Sequence, residues 1–279
     1  ILLVPALIAF IVDLINKDKS GSSTVTKAYE IKKGIWRDVF ATIFCWAFVI
    51  FICMPIIAFI YLTFVNKYPI DLSLSFVHIE EAIKLGVDMY LINSLCIAML
   101  TGMLGTAVSY YTAFLTARSK KTFSNMLLHM ISMLSLAIPG VVLGLSYVLF
   151  FHDSWIYGTL VILITVNCIH FFASPYLMAY NSLKQFNENL EDVALTLGIS
   201  RWRMLWDVYV PGTKETILEM FSYFFVNGMV TISAVSFLAN FKNMPLALLI
   251  PQFDSQSLIE ATAFISVLIL IVNAVLKCV

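Results

Sequence analysis

Long stretches without any Asp, Glu, Lys or Arg are the feature that most limits how this chain can fold. Six of them follow residue 38, and they are Val39–Val65, Met89–Ala117, Thr122–His152, Ser154–Leu183, Met220–Phe241 and Ala261–Leu276. A helix needs about 20 apolar residues to cross the hydrocarbon core of a bilayer, and a charge at its centre costs about 2.5–3.5 kcal/mol on insertion scales. The spacing of the charges therefore predicts an all-α polytopic membrane protein with six spans.

The composition agrees with a lipid bilayer as the main solvent and partner of the chain. Of its 279 residues, 61% are hydrophobic and 12% are charged, whereas soluble chains are about 45–50% apolar and about 25% charged. The 17 basic and 17 acidic residues balance one another. Because no net positive charge is present to attract phosphates, we expect no nucleic-acid partner.

The positions of Lys and Arg orient the predicted spans. If the polar segment before the first span lies in the cytoplasm, only Lys67, Lys84 and Lys242 lie outside, and the other 14 of the 17 basic residues lie inside. Short loops rich in Lys and Arg stay in the cytoplasm, so this orientation is favoured. It places residues 181–219, the loop between the fourth and fifth spans, on the cytoplasmic side.

The first half of this loop has the pattern of a short amphipathic helix. Asn187 can cap its N-terminus, where the acidic residues Glu188 and Glu191 suit the helix dipole. One apolar stripe at helical spacing follows, formed by Leu190, Val193, Ala194 and Leu197. Gly198 is expected to end this helix in a left-handed conformation.

The second half of the loop predicts another short helix with aromatic side chains. Ser200 can cap it, Trp202 and Trp206 lie along it, and Pro211 is expected to end it. Helices this short are marginal alone. Two interpretations remain open: the helices dock into a groove of a partner protein, or they lie on the lipid headgroups.

The same loop carries a longer motif. It reads Asp192-Val193-Ala194, three residues, Gly198, nine residues, and then Val208-Tyr209-Val210-Pro211. This resembles the cytoplasmic signature of binding-protein-dependent ABC importer permeases, which is Glu-Ala-Ala, three residues, Gly, nine residues and Ile-x-Leu-Pro. Every spacing matches, and the departures are Asp for Glu and Val for Ala, Ile and Leu. The chain is therefore identified by resemblance as a type I importer permease with this loop, over about residues 36–279.

The resemblance implies a six-span permease bundle in the bacterial cytoplasmic (inner) membrane, with no catalytic residues and no cofactor of its own. It implies a cytosolic ABC ATPase dimer that holds ATP and Mg²⁺, a second permease half and an extracytoplasmic substrate-binding protein as partners. The residues expected to couple to the ATPase are Glu191, Asp192, Val193, Ala194, Leu197, Gly198, Trp202, Trp206 and Pro211. The alternative is an ion-coupled secondary transporter or channel that uses no ATPase.

Two further segments resemble parts of these permeases. Asn93-Ser94-Leu95 at the start of the second span resembles a recurrent start of that span in the family. Ile138-Pro139-Gly140-Val141-Val142-Leu143-Gly144-Leu145 in the third span resembles permeases for ferric iron, thiamine, phosphonate and polyamines. This resemblance makes ferric iron or a small phosphonate the expected cargo. Several such permeases are fused tandems of two halves. Residues 1–16 are then the end of a preceding span and residues 17–38 a cytoplasmic linker before the permease domain 39–279. An extra N-terminal span of a single half remains the alternative.

Polar and small residues inside the spans are candidates for lining a translocation pathway. They are Asn93, Pro139, Gly140, Gly144, Tyr147, Asn227, Gly228 and Thr231. Gly140 and Gly144 beside Pro139 predict either close helix packing with a kink or a flexing element next to the pathway. Asn227-Gly228 is the predicted helix break. The sequence has no P-loop and no HExxH motif, so ATP is expected to bind another chain and no metal site is predicted.

Overall fold

A computed structural model describes residues 34–119 and 122–278. The preceding span predicted at residues 1–16, and the linker as far as residue 33, lie outside the described residues. The first helix, α1, runs from Ile35 to Thr63 and begins four residues before the predicted boundary. Asp38 lies in its first turn, where the carboxylate accepts a hydrogen bond from the amide of Gly34 at 3.3 Å.

Three helices of the described chain are long and apolar enough to cross a membrane, namely α1, α3 (Val87–Ala117) and α13 (Ile259–Cys278). The membrane-length part of α1 has no buried residue, and it packs mainly against α13. A helix that is apolar all round suits contact with lipid. The all-α polytopic class expected from the sequence is confirmed.

Helix α3 lies at the centre of the bundle, where it packs against the helices of the fourth and fifth predicted spans. Glycines on α3 let α11 (Lys214–Val230) approach it closely. A Cβ on Gly102 would lie 2.7 Å from the ring of Phe221, and one on Gly105 would lie 2.8 Å from the ring of Phe224. Small residues at this contact serve the packing of membrane helices, which have no hydrophobic drive to associate within lipid.

Two of the predicted spans are bent rather than straight. The third consists of α4 (Phe123–Met133), a 3₁₀ turn and α5 (Gly140–Phe151), with an angle of 107° at the break. The fourth consists of α6 (Leu160–His170) and α7 (Ala173–Lys184), with an angle of 53°. If each bent pair is one span, up to five spans are present among the described residues.

Prolines account for both bends. Pro139 has an extended backbone with ψ of 141° directly before α5, and the ring also disfavours helical geometry in the residue before it. Pro175 lies in the first turn of α7, where a missing N–H breaks no helical hydrogen bond. If α6 and α7 were one continuous helix, the proline ring would clash with the carbonyl four residues earlier, so the helix is interrupted before it. The two breaks are joined because Ser135 Oγ accepts a hydrogen bond from the amide of Ala173 at 3.1 Å.

The fifth predicted span, Met220–Phe241, is only partly helical. Helix α11 is 17 residues long and ends at Val230, and Thr231 is extended with ψ of 126°. The chain then turns back into the protein, and residues 243–249 are all buried. A 3₁₀ turn (Leu246–Leu248) and helix α12 (Leu249–Ser255) lie in this part of the chain. Non-helical backbone at membrane depth is tolerated where protein buries it, and residues 242–255 are called the re-entrant segment below.

A small hairpin joins α1 to α3 at the end of the bundle opposite the 181–219 loop. Strands β1 (Val65–Lys67) and β2 (Asp71–Leu74) pair antiparallel, and the amphipathic helix α2 (Val77–Lys84) follows. The buried carboxylate of Glu260 accepts a hydrogen bond from the amide of Tyr68 at 2.7 Å. This bond ties the hairpin to the first turn of α13.

Candidate functional site

The loop 181–219 folds as two short helical segments that meet at a glycine. Helix α8 (Leu190–Thr196) comes first, and a second segment runs through α9 (Arg201–Met204), a π-helical turn (Leu205–Tyr209) and α10 (Val210–Gly212). Gly198 has φ of +68°. Only glycine enters this left-handed region at little cost, so the predicted helix–glycine–helix arrangement is confirmed.

The ends of the two segments differ in part from the predictions. Asn187 does not cap α8 directly. Its Oδ1 accepts from the amide of Asn189 at 2.9 Å in a turn that precedes the helix. Ser200 caps α9 as predicted, because its Oγ accepts from the amide of Arg203 at 3.3 Å. Pro211 does not end the second helix. The helical backbone continues through Pro211 to Gly212. Pro211 has no backbone N–H to donate, and it follows a π-helical turn, in which the hydrogen-bonding pattern is wider than in an α-helix.

The predicted apolar stripe of α8 is divided between the inside and the outside of the protein. Ala194 is buried and Leu190 is half-buried, so these two residues hold α8 against the bundle. Val193 is 53% exposed, Leu195 79% and Leu197 69%. A short helix resting on a bundle buries one narrow face only, and the remaining apolar side chains therefore point away from it.

Exposed aromatic side chains continue this surface on the second segment. Trp202 and Trp206 are 60% and 55% exposed, and their rings lie edge to face 6.0 Å apart. Asp192, in the first position of the signature motif, is also exposed. The apolar side chains between residues 190 and 212 that are more than half exposed are called the exposed apolar set below, and they are Val193, Leu195, Leu197, Trp202 and Trp206. Apolar groups concentrated in this way mark interaction surfaces more often than singly scattered ones.

A buried arginine holds the loop against the bundle. The side chain of Arg118, directly after α3, is only 4% exposed and forms an ion pair with Glu191 of α8, with Nη2 and Oε2 2.5 Å apart. Its Nε also donates to Glu191 Oε1 at 2.6 Å and to the hydroxyl of Tyr209 at 3.1 Å. That hydroxyl donates to Glu191 Oε1 at 2.6 Å. Arg118, Glu191 and Tyr209 are called the anchor network below.

Arg118 also forms hydrogen bonds with backbone carbonyls of the segment between α7 and α8. Arg118 Nη1 donates to the carbonyl of Phe186 at 3.1 Å, and Nη2 donates to the carbonyl of Asn187 at 2.7 Å. In return, the carbonyl of Arg118 accepts from Arg201 Nη2 at 2.7 Å. A buried guanidinium is tolerated only when its donors find partners, and this one has a carboxylate, a phenol and two carbonyls.

The charges within the anchor network shift its pKa values in consistent directions. Burial raises the pKa of Glu191, but hydrogen bonds from Arg118 and Tyr209 outweigh it, and the pKa lies below its ordinary value. Burial, together with the hydrogen bond to Glu191, raises the pKa of Tyr209 to about 12. For Arg118, burial lowers the pKa, but the bond to Glu191 outweighs this and the net shift is upward. All three groups therefore keep their usual charge at neutral pH.

We expect the stabilising effect of Glu191 to depend on pH with a defined sign. Since its folded-state pKa is lowered from 4.5, the effect is fully present above pH 4.5 and is lost as the pH falls through the lowered value. The difference in Tm between the native chain and Glu191→Gln should therefore be constant near neutrality and shrink below pH 4.5. Thermal unfolding of the two purified proteins across this range measures it, and a difference that grows on acidification would contradict the assigned charge state.

Other residues of α3 continue the contact with the loop. Tyr110, Phe114 and Arg118 are four residues apart and so lie on one face of the helix. The hydroxyl of Tyr110 is 2.7 Å from Thr213 Oγ1, which donates to the carbonyl of Tyr209 at 2.7 Å. The ring of Phe114 lies 5.5 Å from that of Tyr209. Tyr110, Phe114 and Arg118 are called the anchor stripe below. Their contact with the loop was not predicted, although their four-residue spacing at the end of a span is visible in the sequence.

The structure brings some of the predicted pathway residues together. Pro139 and Gly140 lie at the break of the third span, and a Cβ on Gly140 would meet Ser233 Oγ and would lie 3.0 Å from His170 Nε2. A Cβ on Gly144 would lie 2.5 Å from the carbonyl oxygen of Ala234. The glycine pair therefore makes a close approach to the non-helical segment after α11, as the packing interpretation of the pair requires.

The predicted break at Asn227-Gly228 is wrong by a few residues. The helix continues through both and ends at Val230. Asn227 Nδ2 donates to the carbonyl of Tyr223 at 2.7 Å, so the amide is satisfied inside the helix. Gly228 is a packing contact, since its Cβ would lie 3.3 Å from Ala98 Cα. The extended residue that follows the helix is Thr231, another of the predicted residues.

Asn93 and Tyr147 are placed at other contacts. Asn93 Nδ2 donates to the carbonyl of Lys242 at 3.1 Å, and Ser94 Oγ accepts from the amide of Leu246 at 2.6 Å. These neighbours therefore hold the re-entrant segment at the start of α3. The ring of Tyr147 is half-buried and lies 5.3 Å from that of Phe151.

Comparison with known proteins gives relatives of one kind. The chain is 29% identical over 182 residues to the ferric transport system permease protein FbpB of Actinobacillus pleuropneumoniae, covering 64% of this chain and 26% of that protein. It is 28% identical over 133 residues to a spermidine/putrescine transport system permease protein PotC homolog of Mycoplasma pneumoniae, covering 46% of each. The chain thus spans about a quarter to a half of the length of these relatives.

Solved structures share the fold at low sequence identity. A bacterial alginate ABC transporter in complex with an alginate pentasaccharide-bound periplasmic protein matches with a TM-score of 0.70 and 16% identity, over 88% of this chain and 94% of that one. A second structure of an alginate importer matches with a TM-score of 0.69 and 17% identity, over 87% and 96%. At this identity the likeness establishes the fold.

The family assignment rests on a match to a described protein family over more than half of the chain. Residues 105–279, which include the 181–219 loop, match the family described as binding-protein-dependent transport system inner membrane component. Its members are multi-pass proteins of the bacterial inner membrane and transport components without an ATPase site of their own. With more than half of the chain matched and the loop and bundle in place, the chain belongs to the family of binding-protein-dependent transport system inner membrane components.

Proposed function

We propose that the chain is the permease subunit of an ATP-driven ABC importer and that its 181–219 loop docks on a cytosolic ATPase. The observation that carries the proposal is the exposed apolar set of the loop, presented by short helices that the anchor network fixes to the bundle. Because residues 190–212 turn around Gly198 and are internally bonded, an apolar groove on a partner can receive them without first ordering them.

The proposed mechanism is a transfer of motion from the ATPase to the bundle. ATP and Mg²⁺ bind between two ATPase subunits, which close and carry the docked loops of two permease halves with them. Turning a 1:99 equilibrium into 99:1 requires about 5.5 kcal/mol of differential binding, and this reaches the spans only through a stiff joint. The breaks at Pro139 and Thr231 are the places where spans in contact change direction.

The proposed cargo is ferric iron, supplied by an extracytoplasmic substrate-binding protein. The name of the Actinobacillus relative supports this cargo, and the resemblance of the residues around Pro139 and Gly140 agrees with it. Uptake of radiolabelled ferric iron by cells expressing the complete transporter tests the assignment, with a small phosphonate and spermidine as competitors. No iron uptake, together with uptake of a radiolabelled phosphonate or of radiolabelled spermidine by the same cells, would replace the cargo without affecting the role as a permease.

Removal of the exposed indoles tests the docking. We expect Trp202→Ala and Trp206→Ala each to weaken the co-purifying ATPase by at least about tenfold, since exposed aromatic anchors commonly carry that much binding energy. The matched control is Trp155→Ala, an 81% exposed indole on the α5–α6 connection. ATPase binding is measured by co-purification and titration with the membrane complex. Native-level ATPase binding by Trp202→Ala and Trp206→Ala would show that the exposed indoles are not the docking contact. The absence of any associated ATPase would favour an ATPase-independent transporter or channel.

A further inference from the structure

The anchor network adds charged and hydrogen-bonded contacts to the apolar packing of the docking loop on the bundle. Arg118 follows α3, Glu191 lies on α8, and Tyr209 lies on the second helical segment. Both halves of the docking loop are therefore bonded to one guanidinium at the end of one span. Its side chain is 4% exposed, so water competes little for these bonds.

The partner of the loop in this contact is the central helix of the bundle. Helix α3 packs along α11, α7 and α6, with the close approaches at Gly102 and Gly105. The anchor stripe extends the contact over two turns, through Phe114 against Tyr209 and Tyr110 against Thr213. A displacement of the loop thus meets charged, hydrogen-bonded and aromatic contacts to α3 together.

We propose that Arg118 is the positioning residue that fixes the docking loop to α3, so that the loop and this central span move as one rigid body. The inference rests on the proposed function, because it concerns how motion of the docked ATPase reaches the bundle. The planar fork of arginine is required, since it binds both carboxylate oxygens of Glu191 and two backbone carbonyls at once. A lysine at this position keeps the charge but has one nitrogen in place of three.

The test measures the distance between the loop and α3 directly. Spin labels are placed at Thr196 on α8, which is exposed and outside the exposed apolar set, and at Met103 on α3, which is 59% exposed. The five cysteines of the chain are replaced by alanine. In the full transporter in nanodiscs we expect one narrow distance that ATP does not change. Arg118→Lys should broaden the distribution and make it respond to ATP. Tyr209→Phe, which removes one bond to Glu191, should have a smaller effect in the same direction.

The matched control is Arg203→Lys. Arg203 forms an exposed ion pair with Asp207 at 3.1 Å within the same segment, and its replacement should change neither the distance nor transport. For Arg118→Lys we expect the ATPase to stay bound while cargo moved per ATP falls about tenfold, the scale on which single contacts alter coupling.

The outcomes separate this inference from the proposed function. An unchanged narrow distance in Arg118→Lys with normal transport per ATP would overturn the inference and leave the docking intact. Loss of ATPase binding in Arg118→Lys at unchanged distance would also overturn it, because the residue would then shape the docking surface. Absence of ATPase from the native complex would overturn the proposed function first and, with it, the inference.

Discussion

Gly198→Val is expected to abolish most coupled transport while the protein still inserts and folds. The residue has φ of +68°, and a Cβ there would find no heavy atom within 4 Å. The substitution therefore introduces no clash, only backbone strain of about 1–3 kcal/mol for a β-branched residue in the left-handed region. The chain relieves this strain by changing φ, which turns the second helical segment relative to α8 and misaligns the exposed apolar set.

The measurement is cargo transport and ATP hydrolysis in proteoliposomes containing the full transporter. We expect Gly198→Val to retain ATP hydrolysis but to transport at least about tenfold less cargo per ATP, on the scale by which changes at a joint alter coupling. Gly198→Asn is the control, because Asn tolerates the left-handed region and should keep transport close to native. Native coupling in the valine variant would show that the angle between the two helical segments is irrelevant.

Gly144→Val is expected to have the largest effect on folding. The Cβ of any residue at this position would lie 2.5 Å from the carbonyl oxygen of Ala234. Because that neighbour is backbone, no side-chain rotation relieves the overlap. Overpacking in cores costs about 1–3 kcal/mol even where side chains adjust, and α5 would have to leave the segment after α11.

Yield of monodisperse protein and its Tm measure the effect of this substitution. The control is Leu145→Val at the next position, which is 48% exposed and should leave both close to native. A native Tm for Gly144→Val would contradict the close approach of α5 to Ala234. It would then also weaken the assignment of the glycine pair to packing.

The docking loop was predictable because its signals are local. A capping serine, a glycine that needs a left-handed conformation and apolar residues at helical spacing act within a few residues of one another. The prediction that Pro211 ends the second helix was wrong because it considered that residue alone. Proline lacks one backbone donor, and whether the helix ends there depends on the turns before it, which here widen to a π-helical turn.

The shapes of the spans were less accessible than their positions. Hydropathy reports which residues avoid water, and a bent helix pair avoids it as well as a straight helix does. The bends of 107° and 53° lie next to Pro139 and Pro175. The positions of these prolines therefore indicate where the spans bend, which the spacing of charges does not. However, Pro55 lies inside α1 without ending it, and tertiary packing decides between these outcomes.

The role of Arg118 could not be predicted from the sequence. As a charge at the end of a span it counts only toward orientation, whereas its partners Glu191 and Tyr209 are 73 and 91 residues away. Its role follows from long-range contacts that the folded chain creates. The exposed position of Asp192 beside the inward-facing Glu191 likewise depends on how α8 is rotated against the bundle.

Photocrosslinking in living cells tests the central claim most directly. A photoreactive amino acid at Leu195, which is 79% exposed on α8, is compared with one at Ile70, which is 80% exposed in the hairpin at the other end of the bundle. We predict that Leu195 forms an adduct with a cytosolic ATPase and that Ile70 does not. An adduct of Leu195 with an extracytoplasmic protein, or none with an ATPase while the transporter is active, would contradict the account.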